Sequence, residues 1–408
     1  MQNKVKNTNL KNKTNSAYLI SWVYAISSII ALVLASLLIN RGMVRVFVQS
    51  ICILMFLLYI FSISGKWKFD LQINNKKIFE LISFCTIIIF QIIGADYSLY
   101  YTIKTIILLF VFKYFFTNYN TLNLSFLFVR LIYFFYSLFT ILILYNMIFN
   151  SYFIQSDMVF SSCDDKNYTA VLMFLYFAFC LHFRFFIGIL LSTVFFVFFN
   201  SSRSSILLIA TFFFCMAFKE QIFYSLKKFK LDKFLKIFSL MTLCIIGFSY
   251  YWVSNVSVNN LQAYRQGLND GSNKMRFTAN IYAIDMVKKD NDLFYRGYGF
   301  DIRKVMGVDE EDYSKHTRIN GVRLVQPHNS IINVLIRLGI VPGILYFIIL
   351  ASTIDLLYKK WTIEFIFPYL LNSMFMHSLL DGFMLGIWII IICLVYIEGN
   401  NKQNESRK

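Results

Sequence analysis

The sequence predicts an all-α polytopic membrane protein with about twelve transmembrane helices and one large extracytoplasmic loop. Of its 408 residues, 58% are hydrophobic and only 15% are charged, whereas a soluble domain carries about 25% charged residues. The apolar residues form continuous runs, several of which approach the roughly 20 residues that cross a bilayer. Continuous runs and only three prolines favour helices over a membrane barrel. This pattern excludes a soluble enzyme, a disordered chain and a secreted disulfide scaffold.

The individual crossings follow from the apolar runs. They are predicted at 18–39, 46–64, 78–94, 99–116, 124–149, 169–183, 185–199, 205–218, 237–255, 340–358, 363–379 and 382–397. The first run is longer than the ~7–15-residue core of a signal peptide, so it is interpreted as an uncleaved helix. The chain then divides into helices one to nine (1–255), an extracytoplasmic loop with amphipathic helices (256–339), and helices ten to twelve with a cytoplasmic tail (340–408).

The orientation is predicted from lysine and arginine in the short connections. These residues concentrate in alternate connections, most of all in 219–236, and such connections face the cytoplasm. Both termini are therefore expected in the cytoplasm, with the protein spanning the plasma (inner) membrane. The net charge of +17 is accounted for by lysines facing the anionic inner leaflet of the lipid bilayer. Nucleic acid is not needed as a partner to explain it.

The polar stretch 256–328 is far longer than an ordinary connection, since loops beyond about 12–15 residues are uncommon and are often functional. From Met275 to Lys288 its apolar positions recur at helical spacing. A second amphipathic segment follows His328 and stops at Gly339. Both segments are expected to lie on the membrane surface.

Three cations are candidates for binding an anion. Arg203 stands in the string NSSRSS at 200–205, where a guanidinium among hydroxyl donors suits an anionic head group. A snorkelling arginine is an equal alternative. Arg276 opens the first loop helix, where free N–H groups favour a phosphate, although a solvated arginine fits the same position. Arg265 lies nearby and is a weaker candidate of the same type.

His328 precedes Asn329 where the chain returns to the membrane. A neutral imidazole can accept a proton from an attacking hydroxyl, and Asn329 could fix that ring or cap the following helix. A helix-start histidine with a local hydrogen bond is the alternative. His377 and Asp381 are four residues apart on one predicted helix. They either support the outer site or satisfy each other.

Metal and cofactor motifs do not occur in the sequence. It has no CxxC, HExxH, GxGxxG or Walker motif. Six of the seven cysteines lie inside apolar runs, as small buried residues do. No metal ion and no cofactor is therefore expected.

The order of these features resembles the O-antigen ligase and polysaccharide polymerase family, which includes the Wzy-type polymerases. The matching features are NSSRSS, the late outer loop, Arg276, the glycine pair in YRGYGFD (295–301) and PHNSIINVLIRLGIVPG (327–343). The resemblance covers roughly 195–395. Two positions depart from it, because Tyr282 lies in a segment where tryptophan is frequent and Arg337 stands where an acidic residue is common.

The resemblance implies a GT-C-like, metal-independent inverting glycosyltransferase on the outer face of the membrane. Its donor would be a polyprenyl-diphosphate-linked oligosaccharide repeat unit, polymerised into O-antigen, capsule or exopolysaccharide. Arg203 and Arg276 would hold the diphosphate, and His328 would act on the acceptor hydroxyl. A chain-length regulator and a flippase would be its protein partners.

Other functions remain open from the sequence. A ligase that transfers the finished glycan to lipid A core fits the same residues. A transporter of lipid-linked oligosaccharides is less favoured, because the long loop follows span nine and no internal repeat is found, whereas many transporters are built from two matching halves. A non-catalytic assembly factor is the least favoured.

Overall fold

A computed structural model describes residues 125–154, 157–161, 163, 166–200, 202–229, 329–374 and 382–405, with single positions among 79–89, 236–247, 297 and 318–323. The helices are α1 Ser125–Phe149, α2 Lys166–Phe183, α3 Phe186–Phe198, α4 Arg203–Lys228, α5 Ser330–Leu338, α6 Ile340–Leu357, α7 Ile363–Ser373 and α8 Gly382–Glu405. The strands are β1 Ser151–Ile154, β2 Asp157–Phe160, β3 Arg318–Ile319 and β4 Val322–Arg323. A short 3₁₀ helix, Lys360–Thr362, joins α6 to α7.

Three helices of the described chain are long and apolar enough to cross a membrane: Val129–Phe149, Arg203–Lys228 and Ile340–Leu357. Phe186–Phe198 and Met384–Asn400 are shorter apolar helices. The predicted spans 124–149 and 340–358 agree with α1 and α6 to within one residue. Spans 18–39, 46–64 and 99–116 lie outside the described residues. The total of twelve crossings and the GT-C-like fold therefore stay predictions.

The prediction of an all-α chain omitted two short antiparallel hairpins. Strand β1 pairs with β2, with Ser151 opposite Phe160 and Ile154 opposite Asp157. Strand β3 pairs with β4 inside the predicted outer loop. Each strand has four residues or fewer, which is too short for alternation to stand out in an apolar sequence.

Helix α4 continues ten residues beyond the predicted end of its span at 218. The backbone at Phe218 leaves helical geometry, with φ −112° and ψ 18°, and the helix resumes after it. The sequence beyond this kink is KEQIFYSLKK, which is rich in residues of good helix propensity. Loss of continuous hydrophobicity marked the end of the apolar segment, while propensity extended the helix itself.

The described residues fall into two compact units, the first comprising 125–212 and 386–405. Helix α2 is the core of this unit, because every residue from Tyr168 to Cys180 is buried. A helix that is apolar on all sides needs neighbours on all sides. Phe135 and Phe139 of α1 meet α2 edge-on, with ring centroids 4.9 Å from Phe179 and 5.0 Å from Tyr176.

Helix α3 packs closely on α2 through a glycine. A Cβ added at Gly188 would lie 2.3 Å from Cys180 Sγ and 3.0 Å from the Tyr176 hydroxyl oxygen. Ser192, four residues later and also buried, donates its hydroxyl to the Gly188 carbonyl at 2.8 Å. Small residues four apart allow two membrane helices to approach closely. This spacing explains the tight α2–α3 hairpin.

The turn between α2 and α3 is a Schellman motif with arginine in place of the usual glycine. The Phe185 N–H donates to the Cys180 carbonyl at 2.8 Å, and the Arg184 N–H donates to the Leu181 carbonyl at 3.4 Å. Arg184 has φ +62°, a left-handed conformation that usually calls for glycine. Phe185 stacks on Tyr136 with ring centroids 3.9 Å apart. This apolar contact helps to hold the strained turn.

Helix α8 is tied to α2 by a polar contact in the first unit. The Nε2 of His182, at the end of α2, lies 2.7 Å from Glu398 Oε2. Lys402, one turn further along α8, lies 2.7 Å from the other Glu398 oxygen. One carboxylate therefore joins the ends of two apolar helices.

The second unit comprises the described positions among 79–89 and the described residues between 213 and 385. Helices α5 and α6 meet in it at Gly339. Gly339 has φ +91°, which favours glycine. Gly297, the first glycine of YRGYGFD, has φ +67°, and a Cβ there would lie 2.4 Å from both the Arg337 carbonyl oxygen and the Gly339 nitrogen. The backbone at 297 and the end of α5 are therefore in direct contact. The expected end of the amphipathic segment at Gly339 is confirmed.

The connection from α6 to α7 contacts the last part of α4 in the second unit. Lys360 forms an ion pair with Glu220, and Phe223 stacks on Tyr358 with centroids 5.7 Å apart. The hydrogen bond to Glu220 raises the pKa of Lys360. Both partners are substantially exposed, so the pair contributes little stability and chiefly fixes geometry.

Candidate functional site

Arg203 and Asn329 are the two predicted site residues that the structure describes, and they belong to different compact units. Arg203 lies in the first unit and Asn329 in the second. His328, Arg276, Arg265, His377 and Asp381 lie outside the described residues. Their roles stay predictions.

Arg203 is the first residue of α4 and its side chain is exposed. Ser202 caps the helix, because its hydroxyl oxygen accepts from the Ser204 N–H at 3.3 Å. The Ser202 carbonyl accepts from the Ser205 N–H at 3.1 Å. A capped helix start satisfies N–H groups that have no partner within the helix. The backbone that carries Arg203 is therefore held on both sides.

One carbonyl oxygen contacts both serines that flank Arg203. Asn167 Oδ1, in the first turn of α2, accepts from the Ser202 hydroxyl at 2.7 Å and from the Ser204 hydroxyl at 3.3 Å. Asn167 is separated from these serines by 35 and 37 positions in the chain. The start of α4 is thus fastened to the start of α2 at the position of Arg203.

A second asparagine closes the same turn from within. Asn200 Oδ1 accepts from the Ser202 N–H at 3.0 Å and from the Ser205 hydroxyl at 2.9 Å. The Ser205 hydroxyl also lies 2.5 Å from the Ser202 carbonyl. Among the described residues, the buried Nδ2 of Asn200 has no hydrogen-bond acceptor. We call Asn167, Asn200, Ser202, Ser204 and Ser205 the arginine turn.

The arginine turn changes the predicted role of the serines. The sequence predicts that the hydroxyls around Arg203 donate to an anionic head group, yet a serine has a single hydroxyl hydrogen. Each described serine directs it to a carbonyl oxygen: Ser202 and Ser204 to Asn167, and Ser205 to Asn200 or Ser202. The serines build the turn, and the exposed charge is that of Arg203.

The β1–β2 hairpin backs this turn in the first unit. The Met158 N–H donates to the Phe199 carbonyl at 2.8 Å, just before the arginine turn begins. The Phe160 N–H donates to Thr169 Oγ1 of α2 at 3.1 Å. An ion pair at 2.9 Å joins Lys166 at the start of α2 to the buried Asp157. The hairpin therefore connects the end of α3 with the start of α2.

Asn329 caps α5, as one of its two sequence interpretations predicted. Its Oδ1 accepts from the Ile331 N–H at 2.9 Å and from the Ile332 N–H at 3.1 Å. Its Nδ2 donates to the Met374 carbonyl at 3.1 Å, and the residue is 2% exposed. Asn329 thus fixes the helix that begins directly after His328. Direct contact of Asn329 with substrate stays a prediction.

Sequence reasoning missed the two asparagines of the arginine turn. Asn200 is part of NSSRSS, but asparagine is an ordinary loop residue and gives no specific signal there. Asn167 carried no local signal, since its partners are distant in the chain. No group of three or more histidine, cysteine, aspartate or glutamate side chains in the described segments could hold a metal ion. Metal-independent transfer stays a prediction.

A known protein family matches part of the chain. Residues 187–348 match the family model for O-antigen ligase. Searches of curated proteins and of solved structures found no match. The match spans less than half of the chain, from the start of α3 into α6, and contains Arg203, Arg265, Arg276, His328 and Asn329 but neither His377 nor Asp381. It supports a relationship to O-antigen ligases and Wzy-type polymerases, and thus a membrane enzyme of polysaccharide synthesis, and it fits either activity.

Proposed function

We propose that this protein is a membrane glycosyltransferase that polymerises polyprenyl-diphosphate-linked oligosaccharide repeat units into a surface polysaccharide. The family match and the apolar helices support a membrane enzyme of polysaccharide synthesis. The proposal adds the reaction that is catalysed and the residues that take part in it.

The observation that carries the proposal is an exposed guanidinium at a rigid helix start. The first turn of a helix has a partial positive charge, so a cation there is unfavourable unless an anion shares the site. Arg203 occupies the first helical position of α4, on a turn with hydrogen bonds on both sides. This arrangement suits a diphosphate, whose oxygens can pair with the guanidinium and whose negative charge offsets the partial positive charge of the helix start.

The proposed reaction is a displacement at the anomeric carbon of the donor sugar. The acceptor hydroxyl oxygen attacks this carbon, the carbon–oxygen bond to the diphosphate breaks, and polyprenyl diphosphate leaves with the electron pair. His328 takes the hydroxyl proton. Arg203 and Arg276 stabilise the negative charge that grows on the diphosphate, which is a role suited to preorganised cations. Inversion at the sugar carbon follows from a single displacement.

The direct test is purified protein with a synthetic polyprenyl-diphosphate repeat unit, with products separated by size. Wild-type protein is expected to give a ladder. Arg203→Ala is expected to lower the rate by about 10²–10³-fold, the usual cost of removing one group that stabilises developing charge. Arg276→Ala and His328→Ala are expected to be similarly impaired.

The matched control for these variants is Arg130→Ala, which removes an exposed arginine of α1 outside the family match. It is expected to keep the wild-type rate. A normal ladder from Arg203→Ala, in protein that reaches the membrane at wild-type level, would contradict the proposal. Activity retained in chelator supports metal-independent transfer, and activity restored only by added metal opposes it.

The second candidate is a ligase that transfers glycan to lipid A core, which fits the matching family equally well. The two activities differ in the acceptor. A polymerase extends a second lipid-linked repeat unit and yields a ladder, whereas a ligase adds one glycan to lipid A core and gives no ladder without it. A lipid-linked oligosaccharide transporter would move the donor without forming a glycosidic bond.

The proposed orientation places both termini in the cytoplasm and 256–328 outside the plasma (inner) membrane. The distribution of lysine and arginine supports it. A reporter active only outside the membrane, fused within 256–328, is expected to be active, and the same reporter fused at the C-terminus is expected to be silent. The reverse pattern would place the reaction on the cytoplasmic side.

A further inference from the structure

We propose that Asn167 is a positioning residue for Arg203. This inference rests on the proposed function, because it concerns how the guanidinium is held against the donor diphosphate. Asn167 does not touch the reacting atoms in this proposal. It acts through the two serines that flank Arg203.

A single acceptor oxygen contacts the serines on both sides of Arg203. Asn167 Oδ1 accepts from Ser202 at 2.7 Å and from Ser204 at 3.3 Å, one residue before and one residue after Arg203. The backbone of Arg203 therefore lies between two anchors that share one oxygen.

The helix that carries Asn167 is packed in the core of its unit. Asn167 lies in the first turn of α2, directly before the run Tyr168–Cys180 in which every residue is buried. Its neighbour Lys166 is fixed at 2.9 Å to Asp157, which is 3% exposed. Because α2 is buried, the Asn167 amide is expected to keep its position when the first turn of α4 loosens. The first turn of α4, which would otherwise be prone to fray, is therefore held to the buried core.

The reaction rate depends on how precisely the guanidinium of Arg203 is placed. A misplacement of about 1 Å in a group that stabilises a transition state can lower the rate about 100-fold. The long arginine side chain amplifies any rotation of its own backbone. Ser202 also caps α4 through its bond from the Ser204 N–H. Loss of the Asn167 amide therefore releases both the cap residue and the serine on the other side of Arg203.

The experiment compares Asn167→Ala with Asn150→Ala as a matched control. Asn150 lies in the same unit, and its side chain donates to Asn146 Oδ1 at 3.0 Å rather than contacting Ser202 or Ser204. The kcat and the donor KM are measured with the synthetic repeat unit, together with the apparent unfolding temperature. Asn167→Ala is expected to lower kcat/KM by about 10–100-fold. Asn150→Ala is expected to leave it within about twofold, at a similar unfolding temperature.

Double variants separate positioning from folding. In an Arg203→Ala background, Asn167→Ala is expected to cause less than about a twofold further loss, because residues that act through one group are not additive. Arg203→Lys provides a second background with measurable residual turnover, in which the Asn167→Ala effect is expected to shrink. An equal loss in all backgrounds would mean a purely structural role and would overturn the inference.

Ser202→Ala tests the same contact from its other partner and carries the test if Asn167→Ala does not reach the membrane. It is expected to lower kcat/KM in the same direction, and to be non-additive with Asn167→Ala. Wild-type turnover by Asn167→Ala or Ser202→Ala beside an impaired Arg203→Ala overturns the positioning role alone. Wild-type turnover by Arg203→Ala overturns both the positioning role and the proposed function.

Discussion

At the start of α4 and at the start of α5, a polar side chain caps the helix and also reaches a second element of its own unit. Ser202 caps α4 and donates to Asn167 of α2. Asn329 caps α5 and donates to the carbonyl of Met374, at the end of α7. The two helix starts differ in which residue is predicted to belong to the site. At α4 it is the exposed Arg203, which follows the cap, whereas at α5 it is Asn329, which is the cap itself.

This difference distinguishes side chains that stabilise a helix start from side chains that are expected to bind a ligand. Around Arg203 the described serine hydroxyls donate to nearby carbonyl oxygens, so we expect anion binding there to depend on the guanidinium. At α5 the amide of Asn329 is occupied in the same way and is 2% exposed. Polar residues that look like ligands in a sequence are often the builders of a turn, since buried polar groups need partners inside the protein.

The largest expected effect on stability lies at the other end of α5, where Gly297 meets it. Gly297→Ala places a Cβ 2.4 Å from backbone atoms of Arg337 and Gly339, in a left-handed conformation. Strain and displaced packing are expected to cost about 2–5 kcal/mol. Thermal unfolding in detergent measures this loss. A variant as stable as wild type would show that the contact between the glycine segment and α5 does not form.

A smaller effect is expected from Asn329→Ala. It removes two bonds to helix N–H groups and one to Met374, which together are expected to cost about 1–3 kcal/mol. Asn329→Ser keeps a capping oxygen, so it should recover part of this stability. If Asn329 acts only as a helix cap, activity falls in proportion to the folded fraction. A fall in kcat in fully folded Asn329→Ala would instead support direct contact with substrate.

The smallest effect is a gain, at the Schellman turn between α2 and α3. Arg184 has φ +62°, and glycine avoids the cost of a side chain there. Arg184→Gly is expected to raise the free energy of unfolding by about 0.5–1 kcal/mol at most, because glycine also gains freedom in the unfolded chain. Arg184→Ala removes the same charge without relieving the strain, so it is the matched control. Equal stability of these two variants would contradict the account of strain.

The parts of the fold that the sequence could predict are those with sharp chemical boundaries. Helix α1 was predicted to within one residue at its start, and Gly339 was recognised as the end of α5. The four-residue strands β1 and β2 were missed because their apolar side chains match those of the surrounding spans. The extension of α4 past Phe218 was missed because hydropathy ends there while helix propensity does not.

The candidate site likewise has features that the sequence could predict and features that it could not. Arg203 is a candidate from the sequence because a cation within an apolar region needs a reason, and its role stays a prediction. The role of Asn329 as a cap was found because capping is local in sequence. The contact of Asn167 with Ser202 was not predicted, since it depends on two helix starts being brought together by tertiary packing over 35 positions. Local patterns identify the charged group, whereas its support becomes visible only in three dimensions.

One oxygen shared by two hydroxyls also bears on how this protein can evolve. A change at position 167 leaves Ser202 and Ser204 without their acceptor at once, so neither serine can compensate for the loss by itself. In related chains, positions 167, 202 and 204 are therefore expected to be inherited as a set and to be exchanged together. An alignment in which the three vary independently would show that the contact belongs to this chain alone.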